Sequence, residues 1–114
     1  MIRFYTNLEQ SRALAKILSP NSADMCWFGG QPFVETVTGY EEDRAEAHRQ
    51  AGMEMYPCWS LVSLLEALPG CSLDSSEGHQ SFRVHHRKMF TEWYDCPVDA
   101  AYEMILKLNK LNLL

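Results

Sequence analysis

CSLDSSEGHQSFRVHHRKMFTEWYDCPVDAAYEMILKLNKL, residues 71–111, carries the pattern that decides the fold. The apolar period changes once within it, from two residues to about 3.6. Over 81–87, Phe82, Val84 and His86 alternate with Arg83, His85 and Arg87, so the two sets lie on opposite faces of a strand. Residues 72–74 form a short strand before it, and 75–80 supply turn residues. Residues 90–94 (FTEWY) form a strand after it, with Phe90, Glu92 and Tyr94 opposite Thr91 and Trp93. Strands this close in sequence form an antiparallel meander. Beyond Pro97 the spacing of Ala101, Met104, Ile105 and Leu108 predicts a helix over 97–111. Asp95 or Cys96 stands at its cap, Pro97 suits the first turn, and Asp99 meets the positive end of the dipole.

Working back toward the N-terminus, Leu61, Leu64, Leu65 and Leu68 keep helical spacing over 57–68 (PCWSLVSLLEAL). Pro57 stands at the start of this segment and Pro69-Gly70 at its end. A first helix is predicted over 7–18, capped by Asn7 and stopped by Pro20. Strands are predicted over 24–28, ended by Gly29-Gly30, and over 33–38 (FVETVT). The polar stretch 41–50 (EEDRAEAHRQ) reads either as a short exposed helix or as a mobile excursion. With 114 residues, no internal repeat and no linker, the chain is one domain, 1–114. The expected fold is α+β: a small antiparallel sheet of four to five strands, with about three helices packed mainly on one face.

The helix PCWSLVSLLEALPG at 57–70, the ending TEWYDCPVDAAYEMILKLNKL at 91–111 and the opening EQSRALAKILSPNSADMCW at 9–27 cover about half the chain. Together they resemble a group of small proteins of gut Bacteroidota carried largely on prophages and other mobile elements. The group commonly has Asn-Pro-Val-Asp where this sequence has Cys96-Pro97-Val98-Asp99. The resemblance implies a compact cytoplasmic domain of mobile-element origin, and it brings no activity and no catalytic residue with it.

Ten Lys and Arg against fifteen Asp and Glu give a net charge of −5. An overall field of this sign does not draw in nucleic acid, which requires clustered positive charge. No apolar run approaches the length of a membrane span, and MIRFYTNLEQ lacks the apolar core of a secretory signal. A cytoplasmic protein with no membrane role is therefore expected. Cys26, Cys58, Cys71 and Cys96 form no C-x-x-C pair. Small buried hydrophobes are the plain account of most of them.

Specific chemistry has few carriers. Cys58, placed just inside a predicted helix N-terminus, is the best nucleophile candidate, because the dipole there lowers a thiol pKa. His48, His79, His85 and His86 are the available bases, and packing beside Trp59 and Leu61 is the competing account of Cys58. A metal would draw on Cys71, His79, His85 and His86. Neighbouring His85 and His86 face opposite ways, however, and no metal-binding spacing occurs, so neither metal nor cofactor is expected. Gly29-Gly30 lacks the frame of a phosphate loop. The run Glu41-Glu42-Asp43 with Glu46 is interleaved with Arg44, His48 and Arg49, which argues for exposure. Trp59 and Trp93 are expected in the core.

The candidate binding surface is the basic row Arg83, His85 and Arg87, with Lys88 at its end, spaced about 7 Å per step. It could meet phosphates, with Trp93 or Tyr94 available for stacking, or an acidic protein. It could equally be a solvated face neutralised by Asp74 and Glu92. These readings make the chain a non-enzymatic interaction module of a mobile element that binds a macromolecule, with a protein partner favoured. Nucleic-acid contact through the basic face is the alternative, a cysteine-dependent enzyme ranks below both, and the open sheet face leaves room for a homodimer.

Overall fold

A computed structural model describes residues 2–29, 31–34 and 41–114, apart from the side chains of residues 33 and 34. Four α-helices, α1 (Leu8–Leu14), α2 (Glu42–Gln50), α3 (Leu61–Glu66) and α4 (Pro97–Lys110), accompany six strands among these residues. The strands are β1 (Met25–Phe28), β2 (Gln31–Val34), β3 (Met55–Cys58), β4 (Cys71–Ser75), β5 (Phe82–His86) and β6 (Met89–Phe90). The class is α+β, as the sequence predicts, but the strands divide into two antiparallel sheets of three, ordered β2-β1-β3 and β4-β5-β6. The single sheet of four to five strands is thereby corrected. Beyond its first two strand residues, the predicted strand 33–38 falls outside the described residues.

The division follows from the pairing of β1, whose two edges are taken by β2 and β3. The expected helix over 57–68 starts only at Leu61, because Met55–Cys58 is extended and pairs with β1, Pro57 opposite Cys26. β3 lies at an edge of its sheet, where a missing N–H is tolerated. Ser60 is the true N-cap of α3: its hydroxyl accepts the Ser63 N–H at 3.2 Å, and its own N–H donates to the Asp24 carboxylate at 2.9 Å. The N-terminal segment then fastens this junction. Thr6 N–H donates to Trp59 O (2.9 Å) and Leu61 N–H to Phe4 O (2.9 Å). The buried Thr6 hydroxyl accepts the Trp59 N–H at 3.1 Å.

The outer helices follow their sequence signals. Asn7 caps α1 in a full capping box: Gln10 N–H donates to Asn7 Oδ1 (2.7 Å) and Asn7 N–H to Gln10 Oε1 (3.1 Å). Gln10 Nε2 and Arg3 each donate to Asp99 Oδ1 at 2.8 Å, which ties α1 and the N-terminal segment to the first turn of α4. Residues 42–50 form a helix that buries Ala45 and packs on β3. Arg49 holds Glu46 at 2.8 Å and also pairs with Glu42.

The long helix α4 crosses the second sheet and buries Ala101, Met104, Ile105 and Leu108, the face its spacing predicts. Cys96 is its N-cap residue but places no side chain on the helix amides, and its thiol instead donates to Arg3 O at 3.2 Å. At the other end Asn112 adopts φ 57°. Leu113 N–H reaches back to Leu108 O (2.8 Å) and Asn112 N–H to Asn109 O (3.0 Å), a Schellman closure. One cluster of buried side chains runs through both sheets, from Cys26 and Met55 through Trp59 and Leu64 to Val84 and Met104.

Candidate interaction face

The second sheet turns one face to the core and one to solvent. Val84, on the central strand, is fully buried, while its neighbours Arg83 and His85 point outward. Pairing places Asp74 beside Arg83 and Phe90 beside His85. The Asp74 carboxylate accepts from His85 Nδ1 at 2.8 Å and from Arg83 Nε at 3.2 Å. The hydrogen bond from His85, helped by Arg83, outweighs the opposing effect of burial and holds the Asp74 carboxyl below its ordinary value.

A one-residue bulge builds the rest of the face. Phe90 pairs with His85, and Thr91 N–H donates to Val84 O at 3.0 Å. In the same register Phe82 would meet Trp93; it meets Tyr94 instead, exchanging backbone hydrogen bonds of 2.7 and 2.8 Å. Glu92 and Trp93 therefore share the place of one residue opposite Arg83, as in a β-bulge. Thr91 turns inward, and its hydroxyl accepts the Val84 N–H at 3.0 Å. Tyr94 packs against the core, and Trp93, expected to be buried, is 46% exposed. The strict alternation expected over 90–94 is broken at this point.

The result is a layered cluster. The Arg83 guanidinium carbon lies 4.4 Å from the Phe90 ring centroid and 4.7 Å from that of Trp93. The His85 ring leans on Phe90 at 5.6 Å. Phe90 is itself 45% exposed. Arg87 and Lys88 form the exposed hairpin turn after β5, with Arg87 at φ 57°. The basic row thus separates into two parts: Arg83 and His85 on the sheet face beside Asp74, and Arg87 and Lys88 in the turn. Of the two aromatic residues offered for stacking beside the basic row, Trp93 reaches this face and Tyr94 turns to the core, a choice made by a bulge that leaves no residue-type signature here.

The nucleophile candidate is placed differently from its sequence expectation. Cys58 ends a strand rather than standing in the first turn of a helix. It is wholly buried, its thiol donates to Thr6 O at 3.5 Å, and burial pushes it up to about 11. Its polar contacts include the hydroxyl and carbonyl groups of Thr6 and the Ser11 side chain. The cysteine–histidine contact lies elsewhere, between Cys71 Sγ and His86 Nδ1 at 3.6 Å. His79 meets the Ser75 hydroxyl at 2.9 Å, and His48 Nδ1 meets Arg44 O at 2.7 Å. Two of the acidic-run carboxylates, Glu42 and Glu46, belong to the ion pairs of Arg49.

Among the described residues no helix is long and apolar enough to cross a membrane. No family model matches the chain, and no curated protein or solved structure is significantly similar to it.

Proposed function

We propose that this chain is a non-enzymatic interaction module that engages a protein partner through the outer face of the second sheet. On this reading it works in the cytoplasm for the mobile element to which its sequence resemblance points. One observation carries the proposal: Phe90 and Trp93, each nearly half exposed, hold the Arg83 guanidinium between them. Exposed Trp and Arg side chains already ordered against each other lose little entropy on docking, and these residue types dominate binding hot spots. Asp74, on the edge strand beside Arg83 and His85, favours a protein over a polyanion, because it sets a carboxylate where phosphates would sit.

Affinity capture by the full chain, with and without nuclease, tests this against Trp93→Ser and Phe90→Ser. A protein retained after nuclease and weakened about tenfold or more by either variant supports the reading. A catch indifferent to both variants overturns it. Nucleic-acid contact is a second reading, favoured by the exposed Arg87-Lys88 turn beside the aromatic pair. It requires binding that falls steeply with salt and is lost in Arg87→Glu/Lys88→Glu. A chain that self-associates through Trp93 would make the partner a second copy.

A further inference from the structure

The inner face of the second sheet carries a row of a different kind at its hairpin end. Cys71 on β4 pairs with His86 on β5, and His86 pairs with Met89 on β6. One register line therefore sets a thiol, an imidazole and a thioether side by side on the same face, with directly opposed Cβ atoms about 5 Å apart. From these three we infer a binding site for a single monovalent copper ion, ligated by Cys71 Sγ, His86 Nδ1 and the Met89 thioether.

The geometry already fits an ion between the first two ligands. Cys71 Sγ and His86 Nδ1 stand 3.6 Å apart. With a metal–sulfur bond of about 2.3 Å and a metal–nitrogen bond of about 2.0 Å, that separation subtends about 110° at the metal. This is an ordinary angle for three- or four-coordinate binding and needs no movement of either strand. The His86 ring lies over Gly70, whose Cβ position would be 3.5 Å from His86 Cε1 and 3.6 Å from Nδ1, ordinary contact distances. The row borders an open pocket of roughly 450 Å³ lined by His86, Arg87, Lys88, Met89 and Leu113, so an ion has a path of entry.

The donor set chooses the metal. Thiolate and thioether sulfurs are soft and select copper(I), whereas zinc takes Cys, His and carboxylate ligands. The carboxylate of this sheet, Asp74, points to the opposite face and is occupied by Arg83 and His85. Arg87 and Lys88 at the mouth oppose a dication more strongly than a monocation, and copper(I) with one thiolate is neutral overall. On binding, the Cys71 S–H proton leaves to solvent and the sulfur–copper bond forms. His86 ligates as the neutral ring with its proton on Nε2, and no electron is transferred.

The test titrates the reduced full chain with copper(I) in competition with a chromophoric copper(I) chelator, and in parallel with zinc(II). One copper(I) per chain is expected, with affinity reduced about tenfold or more in Cys71→Ser, His86→Gln and Met89→Leu. Met89→Leu conserves volume, so it reads the thioether in a folded chain. Protection of Cys71 from alkylation by copper(I), mapped on the unaltered protein, reads the site without any variant. Absence of stoichiometric copper binding, unchanged affinity in Met89→Leu, or zinc(II) held as tightly as copper(I) would each overturn the assignment.

Discussion

Cys58 should be the slowest of two contrasting thiols to alkylate, and the size of the effect follows from its surroundings. Its thiol ionises near 11 in the folded chain against an ordinary value of 9.0. At pH 8 the thiolate fraction falls from about 9% to about 0.1%, and the thiolate is the species that reacts. Ionisation alone slows the reaction about a hundredfold, and complete burial adds the cost of opening the structure before reagent can enter. Cys71 is only partly buried and stands at the end of the second sheet, so it should label first. The assay treats the native chain and the urea-unfolded chain with iodoacetamide at pH 8 and follows each cysteine peptide by mass spectrometry. Native Cys58 is expected to react at least a hundredfold more slowly than unfolded Cys58. Labelling within tenfold of the unfolded rate, or ahead of Cys71, would refute the reasoning and restore a reactive thiol at position 58.

Two stability predictions accompany it. Thr6→Val strands the buried Trp59 N–H without its acceptor and should cost about 1–3 kcal/mol in urea unfolding, while Thr6→Ser keeps the hydroxyl and most of the stability. Because the folded Cys58 pKa lies above its unfolded value, the folded state binds more protons between pH 9 and 11. The stability contributed by the neutral buried thiol is nearly complete below pH 9 and should fall by roughly 2 kcal/mol by pH 11. Urea midpoints across that range check the slope, and a Cys58→Ala chain should lose much of it.

What the sequence discloses and what it conceals follow from where each signal resides. The helix α4 was legible because Pro97 marks its start and four apolar residues at helical spacing fill one face, all of them buried. Asn7 announced the start of α1, although the Gln10 half of its capping box went unread and its end at Leu14 falls short of the expected 18. The second sheet was legible as a meander from the alternation over 81–87. Pro57 misled because the same residue suits the first turn of a helix and an edge strand, and only the pairing of 55–58 with β1 decides between them. That pairing also draws β1 away from the 71–94 strands and divides the expected sheet in two. In the candidate site, Arg83 and His85 could be placed on one face by period alone. Trp93 could not, since the extra residue at Glu92–Trp93 reverses its side without any glycine or proline to announce it. The Cys71–His86–Met89 row depends on cross-strand register, a property of pairs that no single stretch of sequence displays.

The adjacent histidines of β5 show how one strand can serve two sites. Successive side chains point to opposite faces, so His85 joins Asp74 and the aromatic cluster outside, while His86 joins Cys71 inside. The same alternation that argued against both rings holding one ion assigns each ring to a different neighbourhood. Among the described residues no hydrogen bond or ion pair joins the two sets, and the strand backbone lies between them. Substitutions on the two faces should then add in their effects on stability within about 0.5 kcal/mol. The bulge sharpens this separation. It carries Trp93 outward, which enlarges the aromatic face, and turns Tyr94 inward against the core, while Thr91, inward in the regular register, holds the ladder at Val84 beneath α4. The outer face thus takes Trp93 from the extra residue, whereas the inner row of soft donors follows from the regular register of the hairpin.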